Sequence, residues 1–249
     1  MTMEKIESAK NKKFQYWNSL REAKSLKKAD HFIVSGLSWV NENLSKHKDL
    51  VDCLICVSES QAIQYPEQKV FILEKSLFHE LDEFGTKSPL LIMKKKNIPE
   101  FKEDILKQDG IHLFLPLGDP SNLGAVLRSA AAFDVKNIIL LKEACSVFHP
   151  KCVRSSAGNL LDLKLYQGPS IEDLSAEDFY ILDAGGKNLS DLKLENKSIK
   201  LLLGEEGPGV PQKFRSSKNC VRIPISDSVE SLNAGVAASI AIYEINKKL

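Results

Sequence analysis

The feature that most constrains the fold is a repeated alternation of apolar runs and helical patterns in the second half of the chain. The runs IHLFLPL, NIILLK, LLDLKLY, FYILDA, KLLLG and CVRIPI are separated by helical or turn-rich segments, and the last helical pattern is ESLNAGVAASIAIYEINKK. Runs that are apolar throughout are typical of parallel strands covered by helices on both faces. We therefore expect an α/β fold with a mostly parallel sheet, in which ligands bind beyond the carboxyl ends of the strands.

The first half predicts a second, smaller α/β unit. Its expected strands are HFIVSG, VDCLICVS, KVFILE and PLLIMK, and its expected helices include LSWVNENLSKH and SLFHELDEFG. The latter should begin with a serine cap and end at Gly85. The charged stretch KKKNIPEFKEDILKQDG resembles a linker. The 249 residues, 43% of them apolar, allow two ordinary domains, which we place at residues 1–107 and 108–249 with the boundary near Lys107.

Composition excludes several classes of protein. No apolar run is long enough to cross a bilayer, and the charged start MTMEKIESAKNKK has no apolar segment behind it, so we expect neither a membrane span nor a secretory signal. Five scattered cysteines argue against a disulfide framework and favour the cytoplasm. Cys53 and Cys56 lie inside an apolar run without a second ligand pair. We expect them to be buried, and we expect no metal site.

The net charge of +1 conceals a basic stretch near the N-terminus, KNKKFQYWNSLREAKSLKK. Its lysines and arginine could follow an RNA backbone while Phe14, Tyr16 and Trp17 stack on bases. Alternatively, it is a solvated helix whose aromatic residues pack on their own domain. The candidate RNA-binding residues are Lys12, Lys13, Arg21, Lys24 and, from the second half, Arg154.

Two loops after predicted strands carry polar residues. In DPSNLGAVLRSA, Asn122 is expected to open a helix that also carries Arg128. Asn122 and Arg128 are either an ordinary helix cap and an ordinary solvated side chain, or two residues of a functional site. In GEEGPGVP, glycines permit close approach of the backbone, but no phosphate-binding pattern is present. Glu205 and Glu206 favour a ligand that is neutral or cationic where it touches the loop. Alternatively, the loop is only a glycine turn with two solvated acids.

A third loop, IPISDSVESLN, precedes the last helix. Ser231 and Asn233 flank Leu232 as that helix begins, and helix capping alone could explain both. The predicted buried stripe of the helix is Leu232, Val236, Ile240 and Tyr243. The small residues Ala234, Gly235, Ala237, Ala238 and Ala241 should let another element approach closely.

The stretches DPSNLGAVLRSA, LLLGEEGPGVP and IPISDSVESLNAGVAASI resemble, in order and separation, the three motifs of the SpoU (TrmH) branch of the SPOUT RNA methyltransferases. VRSSAGNLLDLKLY is similar to the family segment between the first two motifs, and the first half resembles the ribosomal-protein-like substrate-binding domain of many members. The resemblance implies a C-terminal trefoil knot, S-adenosylmethionine as cofactor, methyl transfer to a ribose 2′-hydroxyl in RNA, and a homodimer with its site near the interface. Family analogy favours ribosomal RNA. The alternative is a non-catalytic RNA-binding protein derived from this fold.

The resemblance also implies roles for individual residues. The catalytic candidates are Arg128, Asn122, Glu206, Ser231 and Asn233. The cofactor-binding candidates are Leu203, Gly204, Glu205, Gly207, Gly209, Ile223, Ile225, Ser231 and Leu232. An arginine is almost always protonated, so we expect Arg128 to stabilise the developing alkoxide and grip a phosphate. Glu206 would pair with Arg128 or hold Asn122.

Two positions depart from the family pattern. Asp134 stands where the family has glycine, and Ala234–Gly235 stands where valine and serine are common. The second departure is expected to loosen helix packing.

Overall fold

The structure is a computed structural model that describes residues 2–175, 179–215, 217 and 219–249. The strands are β1 Thr2–Ile6, β2 His31–Ser35, β3 Val51–Cys56, β4 Lys69–Leu73, β5 Leu90–Lys94, β6 Gly110–Leu115, β7 Asn137–Leu140, β8 Leu165–Gln167, β9 Phe179–Asn188, β10 Ser198–Leu203 and β11 Cys220–Arg222. The α-helices are α1 Lys12–Ser19, α2 Ala23–Lys28, α3 Leu37–Lys46, α4 Glu59–Ala62, α5 Lys75–Leu81, α6 Pro120–Ala132, α7 Pro150–Ser155, α8 Gln212–Arg215 and α9 Ala234–Asn246.

The chain forms two compact units. Unit 1 comprises Met1–Lys96 and Ser146–Gly158, and unit 2 comprises Asn97–Cys145 and Asn159–Leu249. The first division lies before the predicted boundary near Lys107. The reason is that the expected linker is not free: its apolar side chains Phe101, Ile105 and Leu106 pack on the core of unit 2.

Unit 1 is built on a mixed sheet in the order β1-β4-β3-β5-β2. Strands β1 and β3 run parallel to β4, whereas β5 is antiparallel to β3 and β2. The four expected strands are present. Strand β1 was not predicted, because its five residues TMEKI include two charged side chains and lie at the edge of the sheet.

A segment from the second half of the sequence completes the core of unit 1. The Phe148 ring lies 5.0 Å from the ring of Phe32, centroid to centroid, and Cys152 and Val153 of α7 are buried. The sequence alone predicted this segment as part of the larger domain. Residues 1–107 therefore do not form the whole of the first unit.

Helix α5 departs from its predicted caps. Glu74, rather than a serine, caps the helix by accepting a hydrogen bond from the Ser76 amide at 2.8 Å. The helix ends at Leu81, before Gly85, because the buried Asp82 accepts hydrogen bonds from the Thr86 hydroxyl at 3.0 Å and the Lys87 amide at 2.8 Å. These two bonds fold the chain into a loop.

The C-x-x-C pair is buried in β3, as expected. Both thiols are fully buried, and burial raises the pKa of Cys56 to about 12. Burial also raises the pKa of Cys53. The two thiols are therefore protonated packing groups. In the described part of the chain no set of three or more metal-ligating side chains converges, and no helix has the length and apolar character that a membrane crossing needs.

Unit 2 is a six-stranded sheet in the order β11-β9-β10-β6-β7-β8, and every pair of neighbouring strands is parallel. The predicted α/β fold with a mostly parallel sheet is confirmed. The aromatic rings of Phe114, Phe179 and Phe214 form the centre of a core cluster between the sheet and α8. Only the end of LLDLKLY forms a strand, because its first residues make a 3-10 turn at Asn159–Asp162.

Helix α9 packs against α6 through its small residues. A Cβ added at Gly235 would lie 2.9 Å from the Cβ of Ala125, and the hydroxyls of Ser129 and Ser239 share a hydrogen bond of 2.6 Å. The expectation that Ala234–Gly235 loosens helix packing is wrong, because Gly235 permits the close approach.

The predicted buried stripe of α9 is also wrong. Val236 is 49% exposed and Tyr243 is 47% exposed, while Leu232 and Ile240 are half-buried. The buried face consists of Gly235, Ala238, Ala241, Ile242 and Ile245. Val236 and Tyr243, two of the larger apolar side chains of the helix, therefore face away from the core of unit 2.

Candidate active site

The candidate site lies beyond the carboxyl ends of β6 and β10, which are adjacent in the parallel sheet. Helix α6 follows β6 and is capped by Asp119, whose carboxylate accepts a hydrogen bond from the Asn122 amide at 2.8 Å. Pro120 occupies the first turn, where its missing N–H costs nothing. Of the two alternatives for Asn122, the ordinary helix cap is wrong, because Asp119 caps the helix and leaves the Asn122 side chain available for other contacts.

Glu206 joins the loop after β10 to the start of α6. One carboxylate oxygen accepts hydrogen bonds from the Gly118 amide at 3.0 Å and the Asp119 amide at 3.4 Å. The other oxygen accepts from Nδ2 of Asn122 at 3.1 Å. Of the two predicted alternatives, Glu206 therefore holds Asn122 and not Arg128.

Asn233 connects the third segment to the same group. It caps α9, because its Oδ1 accepts from the Gly235 amide at 3.0 Å and the Val236 amide at 3.3 Å. Its Nδ2 donates to Oδ1 of Asn122 at 2.7 Å. The backbone donors at one end and the carboxylate at the other fix both amide orientations. The result is a continuous polar chain, Glu206–Asn122–Asn233, which we call the motif network.

The loop after β10 is a closed turn. The Glu205 amide donates to the Gly209 carbonyl at 2.9 Å, and the Gly209 amide donates to the Glu205 carbonyl at 3.0 Å. Gly207 and Gly209 have φ of 89° and 73°, a left-handed conformation that favours glycine. A Cβ on Gly204 would lie 2.7 Å from the Gly209 carbonyl carbon. The loop therefore needs these glycines for its shape.

The surroundings of this loop are acidic. Burial and the nearby carboxylates of Glu143, Glu172 and Glu206 raise the pKa of Glu205. Burial, Asp119 and Glu206 raise the pKa of the half-buried Cys145 to about 12. Burial is the main cause of both shifts, and the neighbouring carboxylates add a negative potential that disfavours a further negative charge. The loop suits a cationic or neutral ligand, as its sequence predicted.

Other predicted site residues form no hydrogen bond with the motif network. Arg128 is exposed, and the described residues offer it neither an ion pair nor a hydrogen bond. At an α-helical rotation of about 100° per residue, Arg128 lies about 120° around α6 from Asn122. Ser231 and Ile225 are exposed and Ile223 is half-buried, all in the stretch between β11 and α9. Within the described chain, none of these residues forms a hydrogen bond with the network.

The N-terminal basic stretch is largely a packed surface. Phe14 and Trp17 are buried, and the Tyr16 hydroxyl lies 2.8 Å from Nδ1 of His31. The stacking role proposed for Phe14 and Trp17 is therefore wrong, because both rings pack on their own unit.

The candidate RNA-binding cations differ in their availability. Lys12 and Lys24 are exposed, whereas Lys13 forms an ion pair with Glu4 at 2.5 Å. Arg21 turns inward and donates to Oδ1 of Asn18 at 2.9 Å.

Arg154 is exposed, with its guanidinium carbon 4.7 Å from the centroid of the Phe84 ring. Lys12, Lys24 and Arg154 are the better candidates for contact with a polyanion.

Sequence reasoning missed two contributors to the site. Asp119 carried a usable signal, since an acidic residue directly before a proline is a common helix start. Arg215 donates to the loop carbonyls of Pro208 and Val210, at 3.0 and 3.2 Å. No sequence pattern marked Arg215, because these acceptors are backbone atoms.

Comparison with known proteins supports the resemblance. A protein of Syntrophobacter fumaroxidans named ribosomal RNA small subunit methyltransferase G 2 is 37% identical over 246 residues, which are 96% of this chain but 48% of that relative. The chain thus spans about half of that relative's length. The Bacillus subtilis 23S rRNA (guanosine(2553)-2′-O)-methyltransferase RlmP is 27% identical over 251 residues, covering 98% of this chain and 99% of the relative.

A solved structure of similar fold is that of an AdoMet bound rRNA methyltransferase from Sinorhizobium meliloti, with a TM-score of 0.78 and 22% identity over 99% of this chain and 98% of that chain. The model of the SpoU rRNA methylase family matches residues 112–243, which is more than half of the chain and includes every member of the motif network. On this evidence the chain belongs to the SpoU rRNA methylase family.

Proposed function

We propose that the protein transfers a methyl group from S-adenosylmethionine to a ribose 2′-hydroxyl in RNA, with ribosomal RNA as the substrate class. The observation that carries the proposal is the motif network, which joins three distant segments at one edge of a parallel sheet. The B. subtilis relative named as a 2′-O-methyltransferase aligns over nearly the whole of both chains and supports the same assignment.

The loop around Glu205 fits the proposed cofactor. S-adenosylmethionine carries no phosphate, and its sulfonium is cationic. The carboxylates of Glu143, Glu172 and Glu206, which add to burial in raising the pKa of Glu205, create a negative potential that would repel a polyphosphate and attract such a cation. Backbone groups of Leu203, Gly204 and Gly207, with the stretch from Ile223 to Leu232, are the proposed cofactor contacts. When bound, S-adenosylmethionine supplies a methyl group that is activated for nucleophilic attack.

The motif network has a positioning role in the proposed reaction. Glu206 accepts the Asn122 amide hydrogen, and Asn122 in turn accepts from Asn233, so neither amide can rotate without breaking a bond. Fixed amides at the end of the sheet can orient a ribose by hydrogen bonding. Ser231 is exposed beside this edge and would add a hydroxyl partner for the substrate.

Arg128 would stabilise the negative charge that develops on the attacking 2′-oxygen and hold the adjacent phosphate. It lies about 120° around α6 from Asn122, and no described side chain neutralises it. We propose that Arg128 serves the site of a second copy of the chain. The protein would then act as a homodimer whose two sites each use residues of both subunits.

The exposed face of α9 offers the surface for this dimer. Val236 and Tyr243 are 49% and 47% exposed, and the Tyr243 ring lies 5.7 Å from that of Phe133, between ring centroids. Leu232 and Ile240 continue the stripe as half-buried residues. Large apolar side chains on one helix face favour contact with a matching face of another copy.

Mixing two inactive variants tests this arrangement. Arg128→Ala lacks the arginine, and Asn233→Ala lacks the network, so each homodimer should be inactive. A mixed dimer regains one complete site if Arg128 acts across the interface. After random exchange of subunits, activity should recover to about a quarter of that of wild type, since half of the dimers carry one working site of two. No recovery in a mixture shown to have exchanged would contradict the proposal.

The remaining assignments follow from the same proposal. Unit 1 would bind the RNA substrate, with Lys12, Lys24 and Arg154 as its exposed cations. The C-terminal part would contain the family's trefoil knot. An RNA substrate, together with five cysteines that form no disulfide framework, favours a reducing cytoplasm.

A further inference from the structure

The loop from Glu205 to Gly209, here called the cofactor loop, is held from two sides. On one side the paired backbone bonds between Glu205 and Gly209 close the turn. On the other side the carbonyls of Pro208 and Val210, which flank Gly209, both accept hydrogen bonds from one side chain. That side chain is Arg215.

The contacts of Arg215 match the shape of a guanidinium. Its Nη2 donates to the Pro208 carbonyl at 3.0 Å, and its Nε donates to the Val210 carbonyl at 3.2 Å. A planar guanidinium presents these donors in a fixed arrangement, whereas a lysine presents one point charge. One side chain therefore sets the spacing between two carbonyls of the loop.

Arg215 extends from a fixed point. Its neighbour Phe214 is fully buried in the core cluster of unit 2, and Val210 at the end of the loop is 2% exposed in the same cluster. Among the residues that the structure describes, Arg215 makes no ion pair, and its two side-chain hydrogen bonds both go to the carbonyls beside Gly209. The guanidinium thus connects the glycine turn to the rigid core.

We propose that Arg215 is a positioning residue that keeps the cofactor loop in its binding conformation. The inference rests on the proposed function, because it takes the loop as the site of S-adenosylmethionine. The two glycines at positive φ make the loop easy to deform. Without Arg215, the loop must be ordered when the cofactor binds, and that ordering weakens affinity.

The test measures the affinity for S-adenosylhomocysteine by calorimetry in the wild type, Arg215→Lys and Arg215→Ala, in each case with the full chain. The loss of two hydrogen bonds, each contributing modestly, predicts an affinity about tenfold weaker for the alanine variant. The lysine variant should lie between the two, and millimolar guanidinium should restore part of the affinity of the alanine variant. In methylation assays the KM for the cofactor should rise while kcat stays near that of wild type.

Lys213→Ala is the matched control. Lys213 lies on the same short helix, where it donates to the Glu172 carbonyl and forms an ion pair with the Glu172 carboxylate at 3.8 Å. An equal loss of affinity in Lys213→Ala would assign the effect to the stability of α8 and overturn the proposal. Equal affinity in the wild type and both Arg215 variants would also overturn it.

Two further outcomes are separable. If Arg215→Ala does not fold, the affinity of the lysine variant tests the proposal, because lysine keeps the positive charge and loses only the planar arrangement of donors. If the folded wild type itself binds neither S-adenosylhomocysteine nor S-adenosylmethionine, the proposed function fails and this inference fails with it.

Discussion

The motif network makes a specific prediction for Glu206→Gln. The carboxylate accepts from two backbone amides through one oxygen and from Asn122 through the other. Glutamine keeps only one oxygen, so its amide group must face either the backbone donors or the Asn122 donor. In either orientation the NH2 group of the glutamine faces another N–H donor, so at least one charge-assisted hydrogen bond is lost.

The expected destabilisation follows from that loss. A hydrogen bond to a charged group contributes about 1.5–3 kcal/mol, and Glu206 is half-buried, so a value of about 2 kcal/mol is expected. Urea unfolding measures it. A double-mutant cycle with Asn122→Ala should give a coupling of about 1–2 kcal/mol, because the two side chains share a bond. The methylation rate should fall on the order of a hundredfold, since Asn122 is no longer held in place.

Glu205→Gln is the control for this experiment. Glu205 is the adjacent acid of the same loop, and its pKa is raised in the folded state. Neutralising it should leave stability unchanged or slightly higher, because a raised carboxyl pKa means that the folded state disfavours its charge. If Glu206→Gln unfolds at the same urea concentration as the wild type, and its effect adds to that of Asn122→Ala without coupling, the network does not have the role assigned to it.

Three further predictions concern single residues. Arg128→Lys should keep the fold and the cofactor affinity but slow single-turnover methylation about a hundredfold or more, and near-equal rates would make Arg128 an ordinary exposed residue. Burial lowers the pKa of His112 from 6.5, so the contribution of the neutral imidazole to the free energy of unfolding should be complete above pH 6.5 and decline as the pH falls below it. Urea unfolding from pH 8 to 5 should show this decline, and the His112→Gln variant should lack it. Asp134 has φ of 53°, a left-handed conformation that is strained for residues other than glycine. Asp134→Gly should therefore raise the free energy of unfolding by about 0.5–1 kcal/mol. An unchanged or lower value would contradict backbone strain at this position.

The sequence predicted the strands of both units well because their apolar runs are local signals. VDCLICVS and KLLLG are buried strands, as their composition indicates. Strand β1 gave no such signal, because an edge strand can carry charged residues. The contribution of Ser146–Gly158 to unit 1 also gave none, since tertiary contacts between distant segments are not visible in a local pattern.

The candidate site shows the same difference between local sequence signals and tertiary contacts. The motifs identified Asn122, Glu206 and Asn233, but only the geometry distinguishes a bond between Glu206 and Asn122 from one between Glu206 and Arg128. The orientation of α9 was misjudged because periodicity assumes that the largest apolar residues face the core. Here Gly235 faces α6 and Tyr243 is exposed, which fits the dimer surface proposed for the other face of the helix.

The most direct test of 2′-O-methylation is the chemical position of the transferred methyl group in the RNA. The protein is incubated with tritiated S-adenosylmethionine and ribosomal RNA that lacks its modifications, and the RNA is then hydrolysed in alkali. Alkaline cleavage needs a free 2′-hydroxyl, so a 2′-O-methyl group protects the adjacent phosphodiester. The label should appear in alkali-resistant dinucleotides with the wild type and be lost with Arg128→Lys. Label in mononucleotides, which indicates a methylated base, or no transfer by a folded protein that binds the cofactor, would contradict 2′-O-methylation.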